Sequence, residues 1–140
     1  MRALALDLGD RRIGVAVSDT DERVASPVTV LERTRDRQRL HRQIAELVAE
    51  WDAAILVVGL PLSLDGGTGP AAAKVQAEAA ELADVVGVPI ELHDERLSTV
   101  TAERMLKERD LDGRARRKVV DMVAASVILQ DWLDRRSQGR

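Results

Sequence analysis

The chain is predicted to fold as an α/β protein, with a mixed five-stranded sheet flanked by helices on both faces. Three observations predict this class. Residues 3–18 read as two alternating strands around a tight turn, the signature of a β-hairpin. Ala53-Ala54-Ile55-Leu56-Val57-Val58 is an unbroken apolar run, too short for a helix, which marks a strand covered on both faces and hence parallel and central. The remaining apolar residues recur at helical spacing in segments that alternate with strands, and such alternation builds βαβ crossovers.

In the hairpin, Leu4, Leu6 and Leu8 alternate with Ala3, Ala5 and Asp7, and Ile13, Val15 and Val17 alternate with Gly14, Ala16 and Ser18. Gly9 and the charges after it supply the turn. Asp7 is the exception in the pattern, because it falls on the small-residue face with Ala3 and Ala5. A carboxylate there is costly unless it is paired, hydrogen-bonded or bound to a metal; otherwise it caps the turn.

A third strand is expected over Ala25–Leu31, with Pro27 placing it at an edge. Thr34 or Asp36 then caps a helix whose Leu40, Ile44, Leu47, Val48 and Trp51 share one face. After the central strand, Gly59-Leu60-Pro61 and a loop with Gly66, Gly67 and Gly69 lead to Pro70, a first-turn proline. The next helix buries Val75, Ala79, Leu82, Ala83 and Val86 and ends at Gly87. Val88–Leu92 is the last strand; Ser98 or Thr99 then caps a helix carrying Ala102, Met105 and Leu106. A polar connection over Asp110–Arg116 precedes a final helix from about Arg117, carrying Val120, Val123, Ala124, Val127, Ile128 and Trp132 or Leu133. The 140 residues form one expected domain, 1–140, with a frayed tail from about 135.

Composition narrows the function classes. There is no Cys, which excludes disulfides, thiolate metal sites and a Cys nucleophile. Trp51 and Trp132 are the only aromatic residues, which argues against binding single strands by stacking bases on aromatic platforms. The formal net charge of −3 is not that of a non-specific nucleic-acid coat. Two basic clusters stand out all the same, Arg33 to Arg42 and Arg114 to Lys118. With no signal-peptide pattern and no membrane-span length of apolar sequence, a cytoplasmic location is expected.

Ligands of open α/β sheets bind beyond the carboxyl ends of the parallel strands. Asp7 ends the first strand and Glu95 follows the last, so the two carboxylates face each other if those strands are neighbours. Asp121 lies on the face of the final helix that carries Ala124, Ala125 and Ile128, whose small residues allow close approach to the Ala3/Ala5 face. Carboxylates converging on one point repel, and a hard divalent cation resolves the repulsion. A pair of such ions about 3.5–4 Å apart serves in-line displacement at phosphorus. Taken singly, Asp7 suits a turn cap, Glu95 a partner for Arg96, and Asp121 a first-turn helix-dipole partner.

Four motifs then carry a resemblance: Asp7-Leu8-Gly9-Asp10-Arg11-Arg12-Ile13-Gly14-Val15-Ala16-Val17-Ser18-Asp19, Val57-Val58-Gly59-Leu60-Pro61-Leu62-Ser63-Leu64-Asp65-Gly66, Asp94-Glu95-Arg96-Leu97-Ser98-Thr99, and Val119-Val120-Asp121-Met122-Val123-Ala124-Ala125-Ser126-Val127-Ile128-Leu129-Gln130. In order, and over nearly the whole chain, they resemble the YqgF/RuvX family of pre-16S rRNA nucleases and Holliday-junction-resolvase-like proteins. The resemblance implies an RNase H-like fold and a Mg²⁺- or Mn²⁺-dependent endonuclease using one or two ions. It implies Asp7, Glu95 and Asp121 as catalytic metal-binding acids. It also implies maturation of the 5′ end of 16S rRNA, or cleavage of branched DNA. Related resolvases carry a second acid one turn after the last Asp, where this chain has Ala124; either Asp94 or water would fill that place, or a second metal ion would be weakly held.

Arg12, Arg96, Arg116 and Lys118 are the candidate substrate contacts, reaching scissile or flanking phosphates. The expected partners are nucleic acid, as pre-rRNA or branched DNA, and the ribosome, with the chain a monomer or homodimer and no membrane involved. Actin-like ATPases and sugar kinases share the Asp-Leu-Gly hairpin, but they need a second domain that 140 residues cannot supply. A non-catalytic nucleic-acid-binding regulator of ribosome or transcription complexes stays open beside the nuclease.

Overall fold

A computed structural model describes residues 1–98, 101 and 113–138, with side chains described to 98, at 101 and from 124. The strands are β1 (Arg2–Leu8), β2 (Arg12–Ser18), β3 (Ala25–Glu32), β4 (Ala53–Leu60) and β5 (Ile90–Asp94). The helices are α1 (Arg37–Glu50), α2 (Pro70–Val86) and α3 (Gly113–Gln138), and a short 3₁₀ turn, Glu95–Ser98, follows β5. The sheet order is β3-β2-β1-β4-β5, in which β1–β2 and β2–β3 are antiparallel and β1–β4 and β4–β5 are parallel.

The period of two separates two cores. Leu4, Leu6, Ile13 and Val15 join Leu56 and Val58 under α1 and α2, which bring Leu40, Ile44, Val75 and Leu82. On the opposite face Ala3, Ala5, Ala16 and Val57 meet Ala125, Ile128, Leu129, Trp132 and Leu133 of α3. The small residues of β1 and β2 are what let a helix lie this close to the sheet. β3 is an edge strand, as Pro27 requires, and β4 is the central parallel strand expected from its unbroken apolar run. Asp36 caps α1 by accepting from the Arg39 N–H at 3.0 Å, and Gly87 ends α2 in the left-handed conformation.

Several expectations are corrected. β1 and β5 are not neighbours, since β4 lies between them. α3 starts at Gly113, so the Arg114–Lys118 run lies in its first turns and not in a preceding connection. α3 runs to Gln138, and Arg136 there pairs with Glu22 at 3.6 Å. Ala83 is exposed, and α2 buries Ala72 and Glu78 instead. Ser98 belongs to the 3₁₀ turn and is buried. The expected helix carrying Ala102, Met105 and Leu106, and its alternative cap Thr99, lie outside the described residues.

Candidate active site

Asp7 pairs with Gly14 across β1 and β2, on the face toward α3. This end of the hairpin is open enough for α3 to approach, because a Cβ on Gly14 would lie 3.6 Å from the Ala125 Cβ and 3.8 Å from the Asp7 Cβ. Ala125 is one helical turn beyond Asp121 on α3, so the backbone of that turn is brought toward Asp7. The Asp121 side chain lies outside the described residues, as do those of Arg116 and Lys118.

Glu95 follows β5, two strands away from Asp7, yet the two carboxyl groups are hydrogen-bonded. Gly59 of β4, paired with His93, makes the crossing possible. A Cβ there would sit 2.7 Å from Glu95 Oε1 and 2.5 Å from Ile128 Cδ1, so any side chain at 59 would occupy the space the glutamate uses. Burial raises the pKa of Asp7. Burial, with the adjacent Asp7 charge, raises Glu95 to about 7. The pair therefore holds one proton near neutral pH, with Glu95 donating and Asp7 accepting.

A pair of half-buried carboxylates that can give up a shared proton suits a hard, oxygen-preferring divalent cation. Among the described residues no third His, Asp or Glu completes such a cluster. Asp94 does not join it. Its carboxylate accepts from Arg96 at 2.6, 3.0 and 3.1 Å, so the expectation that Asp94 stands in for a missing acid finds a competing cation in place.

Arg96 also donates to the Leu64 carbonyl at 3.2 Å, and a Cβ on Gly66 would lie 3.6 Å from its guanidinium. It thereby ties the 62–67 loop, including the exposed Leu64, to the segment carrying Glu95. Gly66 has φ of 87°, a left-handed conformation that explains the glycine there. Arg12 is 60% exposed and makes a loose 3.5 Å pair with Glu32, a contact weak enough to exchange for a ligand. On the other side of the β1–β2 turn, a cleft of about 710 Å³ is lined by Gly9, Asp10, Arg33, Arg37 and Lys74 among others.

The sequence reasoning missed two buried polar clusters. Glu78 joins Arg33 and His41 on the α1/α2 face, and Asp131 joins His93, Thr101 and Arg135 on the α3 face. A signal was present. Glu78 lies on the same helical stripe as Val75 and Leu82, and Asp131 stands between Ile128 and Trp132 where the periodicity calls for apolar residues.

A mixed sheet with two antiparallel and two parallel pairings, helices on both faces, and carboxylates at the ends of its parallel strands defines the RNase H-like class. Solved structures support the fold. That of "Thermus thermophilus RuvC" matches with a TM-score of 0.58 at 12% identity, over 99% of this chain and 97% of that one. "T. thermophilus RuvC in complex with Holliday junction substrate" matches at 0.57 and 14%, over 91% of each chain. The model of the RuvX family, described as Holliday junction resolvase, matches residues 1–135. Among curated relatives, an Anaeromyxobacter protein (strain Fw109-5) is 49% identical, over 97% of this chain and 98% of its own. A Chloroflexus aggregans protein is 47% identical, over 95% and 93%. Both are named "Putative pre-16S rRNA nuclease". The chain belongs to the RuvX family.

Proposed function

We propose that the protein is a metal-dependent endonuclease that hydrolyses phosphodiester bonds in nucleic acid, maturing the 5′ end of pre-16S rRNA. The observation that carries this reading is the Asp7–Glu95 pair, an acid in β1 and an acid just past the non-adjacent β5, brought together over Gly59. Asp7, Glu95 and Asp121 are the proposed catalytic ligands of one or two Mg²⁺ or Mn²⁺ ions. When bound, such an ion neutralises charge on the phosphodiester and activates the attacking water. The protein's part is geometric. Asp7 and Glu95 supply converging oxygens from the end of β1 and from just past β5, and Asp121, in α3, is the third proposed ligand. Arg12 and Arg96 flank the acids as phosphate contacts, and Arg116 and Lys118, in the first turns of α3, bind the backbone further along.

The pre-rRNA substrate is supported by the names of the 47–49% identical relatives. The family description favours a second reading, cleavage of four-way DNA junctions. A two-fold symmetric junction calls for a dimer, whereas a single RNA strand does not. In this reading the protein works in the cytoplasm, on ribosome precursors.

The test is cleavage of a labelled pre-16S fragment and a labelled four-way junction, with Mg²⁺ or Mn²⁺ and with chelator. Metal-dependent cutting confined to the RNA is the expected result. Cutting of the junction alone would move the assignment to the resolvase. Tight binding of either without cutting would leave a nucleic-acid-binding regulator.

A further inference from the structure

The two buried polar clusters share a plan. Each centres on a buried carboxylate, Glu78 at 3% exposure and Asp131 at 4%. A buried histidine bonds each one: His41 Nε2 at 2.8 Å from Glu78, and His93 Nε2 at 2.7 Å from Asp131. An arginine also pairs with each. Arg33 donates NH1 and NH2 to the two Glu78 oxygens at 3.1 and 2.6 Å, and Arg135 donates Nε to Asp131 at 2.8 Å.

Each arginine then spends a further donor on the main chain. Arg33 Nε donates to the Gly9 carbonyl at 2.7 Å, and Arg135 NH2 donates to the Leu97 carbonyl at 3.3 Å. Gly9 is two residues past Asp7, and Leu97 is two residues past Glu95. The clusters lie on opposite faces of the sheet, one against α1 and α2 and the other against α3. The backbone of Arg33 adds a hydrogen bond to the Arg11 carbonyl at 2.8 Å, and Thr101 Oγ1 adds one to Asp131 at 3.0 Å.

We propose that these clusters are two positioning clamps that set the separation of the Asp7 and Glu95 carboxylates, Arg33 fixing the turn after Asp7 and Arg135 the turn after Glu95. The proposal rests on the reading of that pair as the metal site. An ion pair on a buried carboxylate, with Arg33 19% and Arg135 48% exposed, contributes little net stability compared with well-packed apolar residues, so stability alone does not explain two of them. A rigid fork of donors does what an apolar contact cannot: it fixes a carbonyl to a direction as well as a distance. Arg33, Glu78, Asp131 and Arg135 act through the acids and are positioning residues.

The test uses Arg33→Met and Arg135→Met, which keep the side-chain stem and remove the donors. Glu78→Gln and Asp131→Asn are companions should either Met variant fold poorly. Mn²⁺ affinity by calorimetry is expected to weaken 10–100-fold in each, the range seen when groups supporting metal ligands are lost. kcat should fall with KM unchanged. Amide exchange in the metal-free protein should quicken over residues 8–12 in Arg33→Met and over 95–98 in Arg135→Met, each without the other. A lowered Tm with wild-type Mn²⁺ affinity, kcat and local exchange would overturn the proposal, leaving the clusters as helix-to-sheet ties. Failure of the metal-site reading shows separately, as wild-type Mn²⁺ affinity in Asp7→Asn. The site-specific exchange result alone then decides whether the clamps hold their turns.

Discussion

At Gly59 the missing side chain leaves room for Glu95 to cross β4. Alanine there would bring a Cβ to 2.7 Å from Glu95 Oε1 and 2.5 Å from Ile128 Cδ1. Both are the far ends of flexible side chains, so Gly59→Ala is expected to cost only about 1 kcal/mol, the low end for overpacking. Activity should suffer more, by about 10–100-fold, because a 1 Å displacement of a reacting group is that costly. Thermal unfolding and cleavage rate measured together check the split. The acids make a second prediction. Glu95 titrates at about 7 in the folded chain against an ordinary 4.5. A raised carboxyl means that the folded state holds more protons than the unfolded state between those values. The stability contributed by the protonated pair is thus present at low pH and lost as pH rises through about 7. Metal-free wild type minus Glu95→Gln, compared by denaturant unfolding across pH 4.5–8, should show this loss. Mn²⁺ affinity should rise over the same interval as the ion displaces the proton. A flat difference would mean that the two carboxylates do not share a proton.

For the elements, α3 carries the most weight and held the most surprise. Its apolar stripe identified Ile128 and either Trp132 or Leu133 as core, and all three are buried, but its start was read four residues late, because Gly113 and a run of charges look like loop. With the Arg114–Lys118 run inside the helix, Arg116 and Lys118 are fixed to the element that bears Asp121. Replacing both by Ala is expected to weaken nucleic-acid binding at every sequence tested and to reduce the salt slope by about 1–2. Binding measured at several salt concentrations decides, and an unchanged slope would make the run mere solvated surface. Strand identity was legible because alternation and unbroken apolar runs are properties of the chain itself. Strand order was not. A parallel strand's apolar residues say that it is covered on both faces, not which strand lies beside it, so β4 between β1 and β5 was invisible. Asp7 could be singled out because it breaks an alternation, whereas Glu78 and Asp131 lie on helices otherwise rich in charge, where one more acid does not stand out.

At the scale of the molecule, the described residues form a sheet with a small-residue face that admits the long helix α3 and a large-residue face that takes α1 and α2. The site sits where β1, β4 and β5 end, and the clamps approach it from both faces. In the function proposed, acid pair, glycine gap and helix approach have one purpose, converging carboxylates on a divalent ion. The most direct test of that claim is the cleavage rate of Asp7→Asn under saturating Mg²⁺ or Mn²⁺, beside its circular dichroism and Tm. Loss of cleavage, with the fold intact and Mn²⁺ binding abolished, is the predicted result. Cutting at the wild-type rate would contradict the account.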